Sequence, residues 1–223
     1  MRLFRRIGTL LREIMYPEGA VCAACGKVSG AGYLCAACRE ELWNANMLES
    51  WDTKELMKGV VVWSMRPHTG TARTMVLRLK HGAEAPAARE LAALLRDRPV
   101  LFPAFPPETV VTWVPGPQTR IRERCIDHGR MLAEAVAEEL KLPCEALLIR
   151  RGNDRPQARL NREEREANLQ NAFETRGEIR CPVLLVDDVL TTGTTASRCV
   201  EALRKGGARQ ITVLTATHAV RRK

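Results

Sequence analysis

The stretch Val183-Leu184-Leu185-Val186-Asp187-Asp188-Val189-Leu190-Thr191-Thr192-Gly193-Thr194-Thr195 decides the fold. Its apolar, β-branched run up to Val186 predicts a buried parallel strand, and Ala196, Val200 and Leu203 then recur at helical spacing until Gly206-Gly207 ends a helix. A second strand follows over residues 210–217. The intervening loop therefore lies at the carboxyl edge of a sheet and at a helix N-terminus, where free backbone N–H groups and the positive end of the dipole attract phosphate. Gly193 permits a close backbone approach or a positive φ, and the hydroxyls of Thr191, Thr192, Thr194 and Thr195 can donate to phosphate oxygens. Asp187 and Asp188 precede the loop. Beside a phosphate they would repel it unless they faced something else, and a vicinal diol offers two donors to such acceptor-only groups. Ribose 5-phosphate satisfies both halves. An ordinary capped strand-turn-helix would need a Thr or an Asp, but not two acids and this loop.

At these residues the chain resembles the type I phosphoribosyltransferases, which bind 5-phosphoribosyl 1-diphosphate through a hydrophobic strand, two acids and a Thr-Thr-Gly-x-Thr loop. The resemblance implies that Asp187 and Asp188 occupy the catalytic positions and hold the ribose 2′ and 3′ hydroxyls, while residues 191–195 wrap the 5-phosphate.

The other strong signal is cysteine spacing. Of eight cysteines, four form Cys22-Ala23-Ala24-Cys25 and Cys35-Ala36-Ala37-Cys38, two knuckles separated by nine residues. Four thiolates close a tetrahedral zinc site, and Gly26, Gly30 and Gly32 supply the tight turns. All four ligands would come from the protein, so the zinc is expected to be structural. A disulfide or redox pair is the competing reading, disfavoured in a cytoplasmic chain. Cys125, Cys144, Cys181 and Cys199 show no ligand spacing and are expected to be buried or half-buried thiols. His68, His81, His128 and His218 are expected to form no cluster.

A chain of 223 residues supports one sizeable α/β core and a small appendage. The expected division is 1–50 for an amphipathic helix and the four-cysteine module, and 51–223 for the main domain. A formal charge of +9 favours polyanionic partners without choosing among nucleic acid, a diphosphate or an anionic surface. Arginine blocks at Arg120-Arg122-Arg124 and Arg150-Arg151 suit bidentate phosphate contacts or simply face solvent. With four Trp, four Phe and two Tyr, a base-stacking platform is not evident. No apolar run is long enough for a transmembrane segment. Residues 1–16 read as an amphipathic basic helix, with Leu3, Ile7, Leu10 and Ile14 on one face. It lacks the core and cleavage site of a signal peptide, so a cytoplasmic location is expected. The helix docks on the chain's own body or serves a partner or membrane surface.

Upstream, strands are predicted over residues 60–63 and 110–114. Helices are predicted over 71–80 and 84–95, broken at Lys80-His81-Gly82. After the second strand, Val114-Pro115-Gly116-Pro117 fixes an irregular turn that can present amides to a diphosphate. A helix over 129–140 and a strand over 146–149 complete an α/β, doubly wound, mostly parallel pattern.

Over nearly its whole length the chain resembles the ComF/GntX-like competence family. The matching features, in order, are the amphipathic segment ending in Pro17, the two knuckles, and Leu79-Lys80-His81-Gly82. Val-Pro with spaced arginines follows, then Arg155-Pro156-Gln157 with Arg165 and Asn168-Leu169-Gln170-Asn171-Ala172-Phe173, and the acid-threonine motif. One departure is Arg124-Cys125-Ile126-Asp127-His128, where the family reads Arg-Gly-Phe-Asn-Gln and the glycine is missing. The resemblance implies a phosphoribosyltransferase-like domain with an N-terminal zinc module, acting on imported single-stranded DNA beside other competence proteins. It further implies that Pro115 and Gly116 line the diphosphate, that Lys80 and Arg124 neutralise it with magnesium, and that Gln157 and Arg165 belong to a flap. A solvated loop is the alternative for the flap. Two other functions stay open: an active phosphoribosyltransferase of nucleotide salvage with an unknown acceptor, and a non-catalytic nucleic-acid-binding regulator that senses the phosphoribosyl ligand.

Overall fold

The computed structural model describes residues 21–29, 32–44, 51–82, 84–99, 102–117, 127–151 and 172–220. The N-terminal amphipathic segment, Arg124, Gln157 and Arg165 lie outside the described residues. The chain forms α1 (Ala36–Asn44), β1 (Asp52–Met57), β2 (Val60–Pro67), α2 (Gly70–Gly82) and α3 (Ala85–Ala93), which runs on into a 3-10 turn. Then come β3 (Val110–Trp113), α4 (His128–Leu140), β4 (Leu148–Arg150), β5 (Phe173–Thr175), β6 (Val183–Leu190), α5 (Thr194–Lys205) and β7 (Ile211–His218). Five strands make one sheet in the order β1-β2-β7-β6-β3. Every neighbouring pair is parallel except the β1–β2 hairpin.

Period-two alternation along the central strands builds two cores, one on each face. Val183 and Leu185 of β6, with Ile211 and Val213 of β7, pack under α5 against Ala196, Cys199, Val200 and Leu203. Leu184 and Val186, with Leu214 and Ala216, face the opposite way and meet Met75 and Leu79 of α2, Leu91 of α3, and Leu132 and Val136 of α4. Helices thus cover both faces, and the sheet is doubly wound. Leu34 and Leu42 from the cysteine segment join that second core beside Met65 and Met75.

Three features differ from the sequence reading. β6 continues through both acids to Leu190, because parallel pairing with β7 persists at Asp187↔Thr215, Val189↔Thr217 and Leu190↔His218. The acids, expected between the strand and the loop, therefore stand on the strand itself. The strand expected over 146–149 is displaced to Leu148–Arg150 and pairs antiparallel with β5 in a separate two-stranded sheet. The main sheet is extended instead at Cys144, which bridges in parallel to Val111. Finally, β1 is an edge strand without an apolar face; its first four residues are exposed.

Candidate functional site

The carboxyl ends of β2, β3, β6 and β7 lie side by side, so loops distant in sequence converge at one edge. On β6, alternation sends Asp188 to the face of α2 and α4, where Lys80 from the last turn of α2 places Nζ 2.9 Å from its Oδ1. His128, the first residue of α4, places Nε2 3.2 Å from Oδ2. Burial alone would raise the Asp188 pKa, but the His128 hydrogen bond and the Lys80 charge outweigh it and hold the carboxyl below its ordinary range.

Asp187 points to the other face, toward α5, where its charge helps raise the pKa of the buried Cys199 thiol after the larger effect of burial. Its Oδ1 accepts the Asp188 amide at 2.9 Å. Burial, then repulsion from Asp188, pushes the Asp187 pKa up to about 7. Neighbouring acids thus titrate in opposite directions because Lys80 and His128 touch Asp188, whereas at Asp187 their charges do not offset burial and the repulsion of Asp188.

Of the four histidines, His128 meets the Asp188 carboxylate at this edge and His68 lies beside Thr217. His68 follows β2, and its Nδ1 lies 2.8 Å from Thr217 Oγ1, whose hydroxyl donates to the Asp188 carbonyl at 3.2 Å. With its one proton spent there, Thr217 accepts from His68, so the neutral ring carries its proton on Nδ1. Burial, with Lys80 and Arg73 nearby, lowers the His68 pKa. No local signal announced this arrangement: His68 follows β2, whereas His128 opens α4 well beyond the end of β3.

The loop after β6 takes the form its sequence demands. Gly193 has φ +84° and caps α5 without a side-chain hydrogen bond. A Cβ there would stand 2.7 Å from Leu56 Cδ1 of β1. Thr192 and Thr194 share a 2.9 Å hydroxyl contact, and Thr191, Thr192 and Thr194 are exposed while Thr195 is half-buried. Polar hydroxyls and first-turn amides therefore line one open helix N-terminus. Pairing of β3 with β6 (Trp113↔Val186) continues as Val114 N–H donating to the Val186 carbonyl at 3.1 Å, so Pro115 and Gly116 leave the sheet alongside the two acids. Asp127 fixes the start of α4: Oδ1 accepts from the Gly129 and Arg130 amides, and Oδ2 accepts from Trp113 Nε1 at 2.9 Å. Asp127 thus supplies both a helix cap and a tie to β3.

At the other end of the chain, the Sγ atoms of Cys22, Cys25, Cys35 and Cys38 all lie within 4.8 Å of one another. The Cys25–Cys35 separation is 3.8 Å, matching the edge of about 3.8 Å in a tetrahedron of sulfurs about 2.3 Å from zinc. Although burial opposes it, amides of Cys25, Cys35 and Ala24 aimed at the Cys22 sulfur lower its pKa to about 6. The donor set fits a tetrahedral divalent metal.

A family model described as "Phosphoribosyl transferase domain" matches residues 125–222. This part of the chain is similar to a phosphoribosyl transferase domain. With β1 to β3 it completes a doubly wound, mostly parallel sheet of the type I phosphoribosyltransferase type, preceded by the four-cysteine cluster. No curated protein matches the chain. Among solved structures, the allosteric regulatory enzyme of purine biosynthesis is 21% identical over 63% of this chain and 30% of that one, with a TM-score of 0.44. Glutamine phosphoribosylpyrophosphate amidotransferase from B. subtilis is 20% identical over 68% and 29%, with a TM-score of 0.38. This chain therefore spans less than a third of the length of those two. Adenine phosphoribosyltransferase from Leishmania tarentolae is 13% identical over 75% of this chain and 94% of that one, with a TM-score of 0.39.

Proposed function

We propose that the chain binds 5-phosphoribosyl 1-diphosphate and, as its resemblance to the ComF/GntX-like family implies, handles imported single-stranded DNA in the cytoplasm during natural transformation. The convergence of Lys80, Asp187, Asp188 and the threonine loop at one sheet edge carries the binding half of this reading. Asp187 and Asp188 take the ribose hydroxyls, residues 191–195 the 5-phosphate, and Pro115, Gly116, Lys80 and Arg124 the diphosphate, with Gln157 and Arg165 in a covering flap. Magnesium arriving with the diphosphate supplies charge neutralisation at the leaving group, and Asp187 offers the hard oxygen donors it favours. The four cysteines hold a structural zinc in a module spanning residues 1–50. The DNA half is supported by the +9 charge and the order of motifs along the chain.

The complete acid-and-threonine cradle also favours active transfer to an acceptor. Diphosphate would leave carbon 1 with the bonding electron pair through an oxocarbenium-like state while an acceptor lone pair forms the new bond. Such chemistry needs positioning and electrostatics and no protein nucleophile.

Calorimetric titration of the ligand with magnesium into wild type and Asp187→Ala/Asp188→Ala, with and without single-stranded DNA, tests the reading. Binding lost in the variant supports the site, and a shift caused by DNA supports coupling to nucleic acid. No binding to folded, zinc-loaded wild type would leave a nucleic-acid or partner adaptor.

A further inference from the structure

Helix α2 packs on the sheet and delivers Lys80 to Asp188, and both of its ends are also held by the cysteine segment. At the N-terminus, Glu41 of α1 accepts from the Thr71 amide at 3.1 Å and from the Thr71 hydroxyl at 2.7 Å. The carboxylate occupies the space that a side chain at Gly70 would fill, so the missing Cβ opens the helix end to it. A carboxylate from another element thus does the work of an N-cap and sits at the favourable end of the dipole. Thr71 is itself buried and lies close enough to the Cys38 thiol, one of the four clustered, to influence its charge.

At the C-terminus, Tyr33, between the knuckles, donates to Glu84, whose carboxylate accepts from Arg78 of α2 at 3.1 Å. A third tie runs beneath. Arg66, 1% exposed at the end of β2, donates through Nε to the Leu42 carbonyl at 2.8 Å and through a guanidinium NH₂ group to that of Trp43 at 3.4 Å. It satisfies the last carbonyls of α1, the helix that carries Cys38 and Glu41.

We propose that Glu41, with Arg66 holding its helix, is a positioning residue for the phosphoribosyl site: it transmits the metal state of the four-cysteine cluster through Thr71 and α2 to Lys80. A loaded cluster fixes α1 and with it the cap on α2. An empty one releases the cap, frays α2 and moves Lys80 from the sheet edge. This rests on the proposed binding of 5-phosphoribosyl 1-diphosphate at that edge.

The test uses the full chain, with zinc content verified by native mass spectrometry. Hydrogen exchange over residues 71–82 is compared in wild type, zinc-stripped wild type, Glu41→Ala and the milder Thr71→Val, which keeps the amide contact. Faster exchange is expected in all three altered forms, with Glu41→Ala and Thr71→Val still holding zinc. Titration with 5-phosphoribosyl 1-diphosphate and magnesium should show affinity lowered roughly fivefold in Glu41→Ala, restored by Glu41→Gln, and not lowered further when Lys80→Ala is already present. Independent, additive losses from Glu41→Ala and Lys80→Ala would overturn the proposal, as would unchanged exchange in α2 on zinc removal. If wild type binds no ligand, the binding reading falls, and exchange alone decides whether the cluster governs α2.

Discussion

The two faces of the sheet finish differently at the carboxyl edge of β6. On the α2 and α4 face, Asp188 is nearly buried and both its oxygens meet a basic side chain, Lys80 or His128. On the α5 face, the Asp187 carboxylate accepts from a backbone amide, the exposed threonine loop follows after Leu190, and the pKa of Asp187 rises. One step along a strand changes the surroundings completely, because alternation assigns neighbours to different cores. The α2 and α4 face is a preassembled charge cluster. The α5 face is an open cradle whose acid gains its charge only near neutrality.

The largest expected effect breaks the preassembled face. Asp188→Ala leaves Lys80 and His128 facing an empty acceptor position, and losing one partner of a buried pair costs about 3–5 kcal/mol. Lys80 can swing toward water, so we expect the low end, about 3 kcal/mol, read by urea unfolding. Asp188 has a depressed pKa, so its contribution is full above the ordinary carboxylate range and is lost as pH falls from there through the lower folded-state value. A loss below about 1 kcal/mol, the size of an exposed pair, would make this face as open as the other. Next comes Gly193→Ala on the cradle face. The left-handed backbone costs a non-glycine residue about 1–2 kcal/mol, and the new methyl displaces Leu56. Ligand affinity should fall with stability there, since the same turn carries the threonines.

Legibility in the sequence followed the same division. The β6-loop-α5 unit was readable because its apolar periods and its Thr-Gly turn carry local meaning, and the knuckles because ligand spacing is itself chemistry. The edge strand β1 was not, since Asp-Thr-Lys-Glu-Leu-Met has no buried face to impose alternation. Leu148-Ile149 read as a strand, but three residues say nothing of their partner, and Phe173–Thr175 claimed them. The charge cluster was least visible. Lys80, His128, His68 and Thr217 come from two helices, a loop and a strand, and meet only because parallel strands finish at a common edge. Likewise, nothing local in Glu41 or Thr71 foretells that one caps the helix of the other.

The smallest effect sharpens the comparison by pH. Asp187 has a raised pKa, so its folded form holds a proton that the unfolded chain gives up. Its contribution to stability is complete below the ordinary carboxylate value and is lost as pH rises through about 7. Ligand binding runs the other way, because only the ionised carboxylate is a strong acceptor for ribose hydroxyls. Wild-type affinity should therefore rise between about pH 6 and about pH 8, spanning that titration. Asp187→Asn cannot gain the charge, so its affinity should stay flat and fall roughly tenfold below wild type at the upper end, where a charged hydrogen bond is missing. The same variant should be more stable than wild type above pH 7 and equal to it in acid, since it avoids ionising a carboxyl beside Asp188. Calorimetry at both pH values reads the first effect and thermal unfolding the second. A wild-type affinity independent of pH would mean that Asp187 already carries its charge, and that the two faces differ in geometry but not in protonation.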